Sequence, residues 1–153
     1  MKLLIVEDDD FKASRLKSFI TNEYEKVQIT ISTNLVDAIS AVDNDNFDIA
    51  LIDMSIPSHP FKQGTGSPIS FLNGGFDIIF ELYYSKKNTF CIIITQYPEI
   101  EISGELFKTE GAEIIIKEKY KCDIAGCIQY SEDNDNWEIK LKEILGRYEN
   151  INT

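Results

Sequence analysis

LLIVEDDD, residues 3–10, packs four apolar side chains and then four acids in a row. An unbroken Leu-Leu-Ile-Val run suits a strand covered on both faces, as in a parallel sheet; a strand covered on one face alternates instead. Runs of the same kind recur at Ile49–Ile52, Phe90–Ile94 and Ile114–Ile116, with a more alternating version at Val27–Ile31. All five are predicted strands.

Between them the period becomes helical. Leu16, Phe19, Ile20 and Tyr24 share a face, as do Leu35, Ala38, Ile39 and Val42, and then Phe76, Ile79, Phe80 and Tyr83. Thr33 or Asn34 can cap the second helix by accepting from a free backbone N–H. A further helix is predicted over Pro98 to Glu110, with Gly104 inside it and Gly111 placed to stop it. Trp137, Leu141, Ile144, Leu145 and Tyr148 mark a last helix. Strand and helix thus alternate five times, which predicts an α/β fold: an open parallel sheet with right-handed crossovers and helices on both faces. At 153 residues the chain is predicted to form a single domain, 1–153.

Residues 54–74 break the rhythm. The stretch 55–75 holds three of the four prolines and four of the eight glycines, and connections in α/β units usually run to roughly 2–6 residues, so a long, functional loop insert is predicted there. His59, the sole histidine, lies between prolines in it and reads as a loop residue. Residues 118–136 form a second irregular segment before the last helix, with Gly126 to Tyr130 as a possible extra short strand at an edge.

The formal net charge of −11 disfavours nucleic acid as a partner, since that affinity comes mainly from Lys and Arg on phosphates. No apolar run approaches the roughly 20 residues needed to cross a bilayer, so no membrane partner is expected. The N-terminus lacks the basic start and cleavage site of a secretory signal, which points to the cytoplasm. Cys91, Cys122 and Cys127 are odd in number and have no histidine near enough to complete a zinc site, so free thiols are expected.

In an open α/β sheet, the groups that follow each strand gather along one edge, where ligands bind. Glu7 and Asp8 follow the first strand, Asp53 the third, Thr95 the fourth and Lys117 the fifth. Carboxylates gathered within a few ångströms either take up a proton or hold a cation between them. Mg²⁺ fits such a set, because it is held by one or two carboxylates and completes its octahedron with waters and phosphate oxygens. Thr95 offers a hydroxyl and Lys117 an ammonium for phosphoryl oxygens, which leaves Asp53 as a nucleophile able to form an aspartyl phosphate. For the acids taken alone, a solvated helix start is the plain alternative, and it suits Asp9 and Asp10.

The segments LLIVEDDD, DIALIDMSIP, FCIIITQ and EGAEIIIK, in this order and spacing, resemble the four signature segments of a response-regulator receiver domain. The resemblance covers roughly residues 1–117. It implies a flavodoxin-like three-layer fold with a five-stranded parallel sheet and five helices, a Mg²⁺ site, and phosphorylation by a histidine kinase or phosphotransfer protein. It further implies Glu7 and Asp8 as the acidic pair, Asp53 as the phosphoacceptor, Ser55 as a main-chain carbonyl ligand of the metal, and Thr95 and Lys117 as the phosphoryl-binding pair. The chain departs from the family pattern at Glu118, where proline usually follows the lysine, and at Ile114, where an aromatic usually stands.

The function expected is that of a stand-alone response-regulator receiver, not an enzyme, which passes its signal to a downstream protein effector. One alternative is a receiver-like adaptor that works without phosphorylation. Another is a Mg²⁺-dependent phosphatase or Toprim-like enzyme, ranked lower because both use an Asp-x-Asp pair and Asp53 is followed by Met54 and Ser55.

Overall fold

The computed structural model of the chain describes residues 1–60, 70–71 and 73–152. Its elements run β1 (Lys2–Val6), α1 (Asp10–Glu23), β2 (Gln28–Ser32), α2 (Leu35–Asn44), β3 (Ile49–Ile52), β4 (Ile56–Pro57), β5 (Ser70–Phe71), α3 (Gly74–Tyr84), β6 (Phe90–Thr95), β7 (Glu99–Ile102), β8 (Glu105–Lys108), α4 (Glu113–Tyr120), β9 (Gly126–Gln129) and α5 (Asn136–Asn152). Five strands form one parallel sheet in the order β2-β1-β3-β6-β9.

The continuous apolar runs lie where two-sided burial demands them. Leu3, Ile5, Ile49, Leu51, Ile92 and Ile94 face one layer, where they pack with Leu16 and Ile20 of α1 and with Trp137, Leu141 and Leu145 of α5. Their neighbours Leu4, Val6, Ala50, Ile52 and Ile93 face the other, against Ala38 and Val42 of α2, Phe76, Ile79 and Leu82 of α3, and Ile116 of α4. This is the three-layer arrangement of a flavodoxin-like fold. Asn34 caps α2, its side chain accepting from the Asp37 N–H at 2.9 Å. Among the described residues, no helix is long and apolar enough to cross a membrane.

Two of the predicted elements change type. Ile114–Ile116 is not the fifth strand but part of α4: Ala112, Ile116 and Tyr120 recur every four residues and turn inward, while Ile114 is 70% exposed. A run of three β-branched residues is too short for periodicity to separate strand from helix, and packing on one side decided it. The fifth strand of the sheet is β9, in the segment read above as an extra edge strand. Gly126 at its start has no side chain because a Cβ there would collide with Ile144 of α5.

The predicted helix over Pro98 to Glu110 is instead the antiparallel hairpin β7–β8. Glu99, Ile100, Glu101 and Ile102 alternate with period two, and the turn residues Ser103 and Gly104 both have positive φ, at 53° and 81°, which suits the mirror-image turns that close two-residue hairpins. Of the predicted loop over 54–74, the ends are described: β4 and β5 pair antiparallel, Ile56 opposite Phe71. Residues 61–69 and 72 of the insert lie outside the described residues.

Candidate functional site

The site forms where β1 and β3 end side by side. Their parallel register sets Val6 beside Ile52, so the residues that follow, Glu7 and Asp53, leave the sheet together. Main-chain bonds fix the exits: the Glu7 N–H donates to Ser32 O and the Asp53 N–H to Val6 O, each at 3.0 Å. Carboxylate oxygens of Glu7, Asp8 and Asp53 lie within 4.8 Å of one another. Glu7 and Asp53 are buried and Asp8 is exposed.

The acids after them divide by role. Asp9 is the N-cap of α1, its side chain accepting from the Lys12 N–H at 2.9 Å, while its own N–H donates to Glu7 Oε1 at 3.0 Å. Asp10 opens the first turn, where a negative charge suits the helix dipole. The four consecutive acids thus serve both the cluster and the start of a helix.

Asp53 is further held by the Met54 N–H, which donates to Oδ1 at 2.8 Å. Behind it, Gly75 of α3 approaches so closely that a Cβ would stand 2.5 Å from the Asp53 carbonyl oxygen. Ser55 is half-buried in the short connection from β3 to β4, two residues past Asp53. Thr95 ends β6 with no exposed surface, and its Oγ1 is buried without a hydrogen-bond partner among the described residues. A buried hydroxyl with no partner costs free energy of order 1–3 kcal/mol, so it is the kind of group that a ligand oxygen satisfies.

Lys117 requires correction. It does not end a strand: it sits on α4 with its side chain 69% exposed, and its ammonium pairs with Asp123 Oδ1 at 2.8 Å. The strand position aligned with Thr95 is Gln129, followed by Tyr130, whose N–H donates to Thr95 O at 2.7 Å. The departures noted at Glu118 and Ile114 follow from the same misplacement, since both positions lie on α4.

The ammonium found among the acids belongs to Lys12 of α1. Its Nζ donates to the Ile94 carbonyl oxygen at 2.8 Å, touches Glu7 Oε2 and lies 3.4 Å from Asp53 Oδ1, with the side chain only 3% exposed. Sequence reasoning missed it, although a signal was present: Lys12 stands four residues before Leu16 and eight before Ile20, on the inward stripe of α1 extended back by one turn. Burial pushes the Glu7 carboxyl up from its ordinary 4.5 to about 7, with the Lys12 ammonium opposing and the Asp53 charge adding to the rise. Burial likewise raises Asp8. The three acids therefore gain from a cation, and an internal one already contributes.

No family model matches the sequence. The Detocs response regulatory protein DtcB of Vibrio alginolyticus is 31% identical over 146 residues, a match spanning 94% of this chain and 98% of the relative. An uncharacterized protein, y4jR, of Sinorhizobium fredii (strain NBRC 101917 / NGR234) is 19% identical over 143 residues, covering 93% of this chain and 95% of that one. Among solved structures, the response regulator receiver domain protein (CheY-like) from Methanospirillum hungatei JF-1 superposes with a TM-score of 0.60 at 16% identity, over 97% of this chain and 94% of the other. The response regulator protein TrrA of Thermotoga maritima, solved in complex with Mg²⁺-BeF, superposes with a TM-score of 0.58 at 20% identity, over 94% of this chain and 97% of the other. With an acid cluster at the carboxyl edge of a five-stranded parallel sheet and a response regulatory relative matched nearly end to end, the chain belongs to the response-regulator receiver family.

Proposed function

We propose that Asp53 accepts a phosphoryl group in a Mg²⁺-dependent reaction, from a histidine kinase or phosphotransfer protein, and that the chain then signals through a separate protein effector. The observation that carries this reading is the convergence of the Glu7, Asp8 and Asp53 carboxylates within 4.8 Å. The donor set suits a hard divalent ion, and the buried, unpartnered Thr95 hydroxyl is a waiting donor for a phosphoryl oxygen. Glu7, Asp8, Asp53 and the main-chain carbonyl of Ser55 are the residues that would hold Mg²⁺. When bound, the ion neutralises charge on the transferring phosphoryl oxygens.

The protein's own part is positioning. Asp53 Oδ1 is engaged by the Met54 N–H and faces Lys12, which leaves Oδ2 as the attacking oxygen among the described contacts. That oxygen forms the new bond to phosphorus as the donor's N–P bond breaks, and the electron pair stays on the imidazole nitrogen, which then takes up a proton. The match spans 98% of the Vibrio relative, a response regulatory protein, and this supports reading residues 1–153 as a single receiver domain.

Incubation with acetyl phosphate and Mg²⁺ followed by intact-mass measurement tests the reading. The expected result is a gain of one phosphoryl group that is lost in Asp53→Asn and when the metal is chelated. No gain in the wild-type protein, or a gain that survives Asp53→Asn, overturns it. A second reading, an adaptor that works without phosphorylation, is favoured by one observation: Lys12 already neutralises Glu7 and Asp53 from within the fold. It expects no phosphoryl gain and a partner affinity unchanged by Asp53→Asn.

A further inference from the structure

We infer that Lys12, delivered by α1 and not by the end of the fifth strand, is the cation that binds the phosphoryl oxygens on Asp53. The inference rests on the phosphoryl-acceptor reading above. It starts from a vacancy in the sheet: β9 ends at Gln129, aligned with Thr95, and continues into Tyr130, so this strand brings no ammonium to the carboxyl edge. Lys117 is held away on α4 by Asp123. Among the described residues, Lys12 is the lysine whose ammonium touches the acids, 3.4 Å from Asp53 Oδ1.

The placement of Lys12 is not explained by helix stability. It is the third residue of α1, in the first turn, where the aligned backbone dipoles present positive charge and a cation is disfavoured. Burying an ammonium carries a further desolvation penalty. What the lysine adds is a charge beside the nucleophile. Its rotamer is fixed from three sides, by the Ile94 carbonyl, Glu7 and Asp53, so the ammonium is organised before any phosphoryl group arrives.

Phosphorylation converts the Asp53 carboxylate, with one negative charge, into an acyl phosphate whose terminal oxygens carry up to two. An ammonium that already faces Oδ1 gains a stronger partner within a short displacement, while the Ile94 carbonyl anchors it to the strand that ends in Thr95. Lys12 and Thr95 then approach the phosphoryl group from neighbouring positions, one from the helix and one from the end of β6. Two structural consequences separate this role from passive packing. The ammonium competes with a divalent ion for Glu7 and Asp53, and it cooperates with that ion once a phosphoryl oxygen is present.

The test compares wild-type protein with Lys12→Gln, and with Lys117→Gln as a control, by titration with Mg²⁺ alone and then with beryllofluoride at saturating Mg²⁺. Lys12→Gln is expected to bind Mg²⁺ as tightly as wild type or more tightly, and to bind beryllofluoride more weakly by about tenfold or more, the loss of one charge-assisted hydrogen bond. Lys117→Gln is expected to match wild type in both. Equal beryllofluoride affinity in Lys12→Gln overturns the inference, and a parallel loss of Mg²⁺ and beryllofluoride binding reduces Lys12 to a structural role. Should Lys12→Gln fail to fold, the wild-type protein reads the same point: with ¹⁵N-labelled lysine, the Lys12 ammonium signal shifts when beryllofluoride is added to protein already saturated with Mg²⁺, and a signal that does not move at that step overturns the inference. If wild type itself binds no beryllofluoride, it is the phosphoryl-acceptor reading that has failed.

Discussion

Gly75→Ala measures how firmly α3 is seated on the strand that ends in Asp53. A methyl group there would stand 2.5 Å from the Asp53 carbonyl oxygen, 3.0 Å from Met54 Sδ and 3.1 Å from Ile52 Cγ2. The first contact is with backbone, and that backbone is held: the Asp53 N–H donates to Val6 O at 3.0 Å, and the Gly75 N–H donates to Met54 O at 3.2 Å. Neither side can yield cheaply. Alanine is a better helix former than glycine by about 1 kcal/mol, but inserting a methylene-sized group into a filled site costs roughly 1–3 kcal/mol, and contact with a fixed carbonyl belongs at the upper end. The expected net loss is about 1–2 kcal/mol, or roughly 2–8 °C in Tm for a chain of this length. Urea unfolding with an unchanged m-value is the assay. Gly146→Ala in α5 is the internal control, because its Cβ meets nothing within 4 Å and the substitution should gain up to about 1 kcal/mol from propensity alone. If Gly75→Ala proves as stable as wild type, α3 does not sit against Asp53 as described.

Trp137, 1% exposed and packed against the rings of Phe19 and Tyr130, ties α5 to α1, and Trp137→Ala should cost about 3–5 kcal/mol in the same assay; a loss under about 1 kcal/mol would refute that packing. Because the folded Glu7 carboxyl titrates near 7 and the unfolded one near 4.5, the unfolded chain releases its proton first, so the metal-free protein should lose stability as pH rises from about 4.5 to 7 and then level off. Glu7→Gln should remove that slope in urea titrations at several pH values, and a slope that persists would assign it elsewhere. Under the proposed function, Mg²⁺ affinity should rise between about pH 6 and 8 as Glu7 gives up its proton, measured by calorimetry; an affinity independent of pH in this range would show that Glu7 is already ionised or takes no part.

The central strands were legible because burial on both faces leaves a strong mark: Leu3–Val6, Ile49–Ile52 and Phe90–Ile94 can hardly alternate when each neighbour faces a different helical layer. β9 left no such mark. It is an edge strand, it opens with Gly126 so that α5 can come close, and it spends one buried position on Cys127. Ile114–Ile116, by contrast, shows more β-branched character than any part of β9, yet only Ile116 turns fully inward. Tertiary packing overrode local preference there, whereas in the β7–β8 hairpin the local signal was present and was read with the wrong period: Ser103 and Gly104 supply the turn and Ile100 and Ile102 the buried face. The acids of the site were legible for a simpler reason, since a residue that follows a strand's last apolar position has only the carboxyl edge to occupy.

The two misplacements share one origin and lead to one conclusion. Assigning the fifth strand to Ile114–Ile116 carried Lys117 to the sheet edge, and the true edge, ending at Gln129, has no lysine to offer. The acids still need positive charge: Glu7 and Asp53 are almost wholly buried, and the Asp53 charge adds to the rise of the Glu7 carboxyl. The fold answers from a different element. Lys12 enters from the first turn of α1, one turn before Leu16 on the inward stripe, so the cation is tied to the helix whose cap, Asp9, stands two residues after Glu7. A strand-end lysine would report on the sheet; a lysine on α1 couples the charge at Asp53 to the helix that starts beside it. A change of charge at Asp53 therefore bears directly on Lys12, and so on the first turn of a helix that shares its layer with α5.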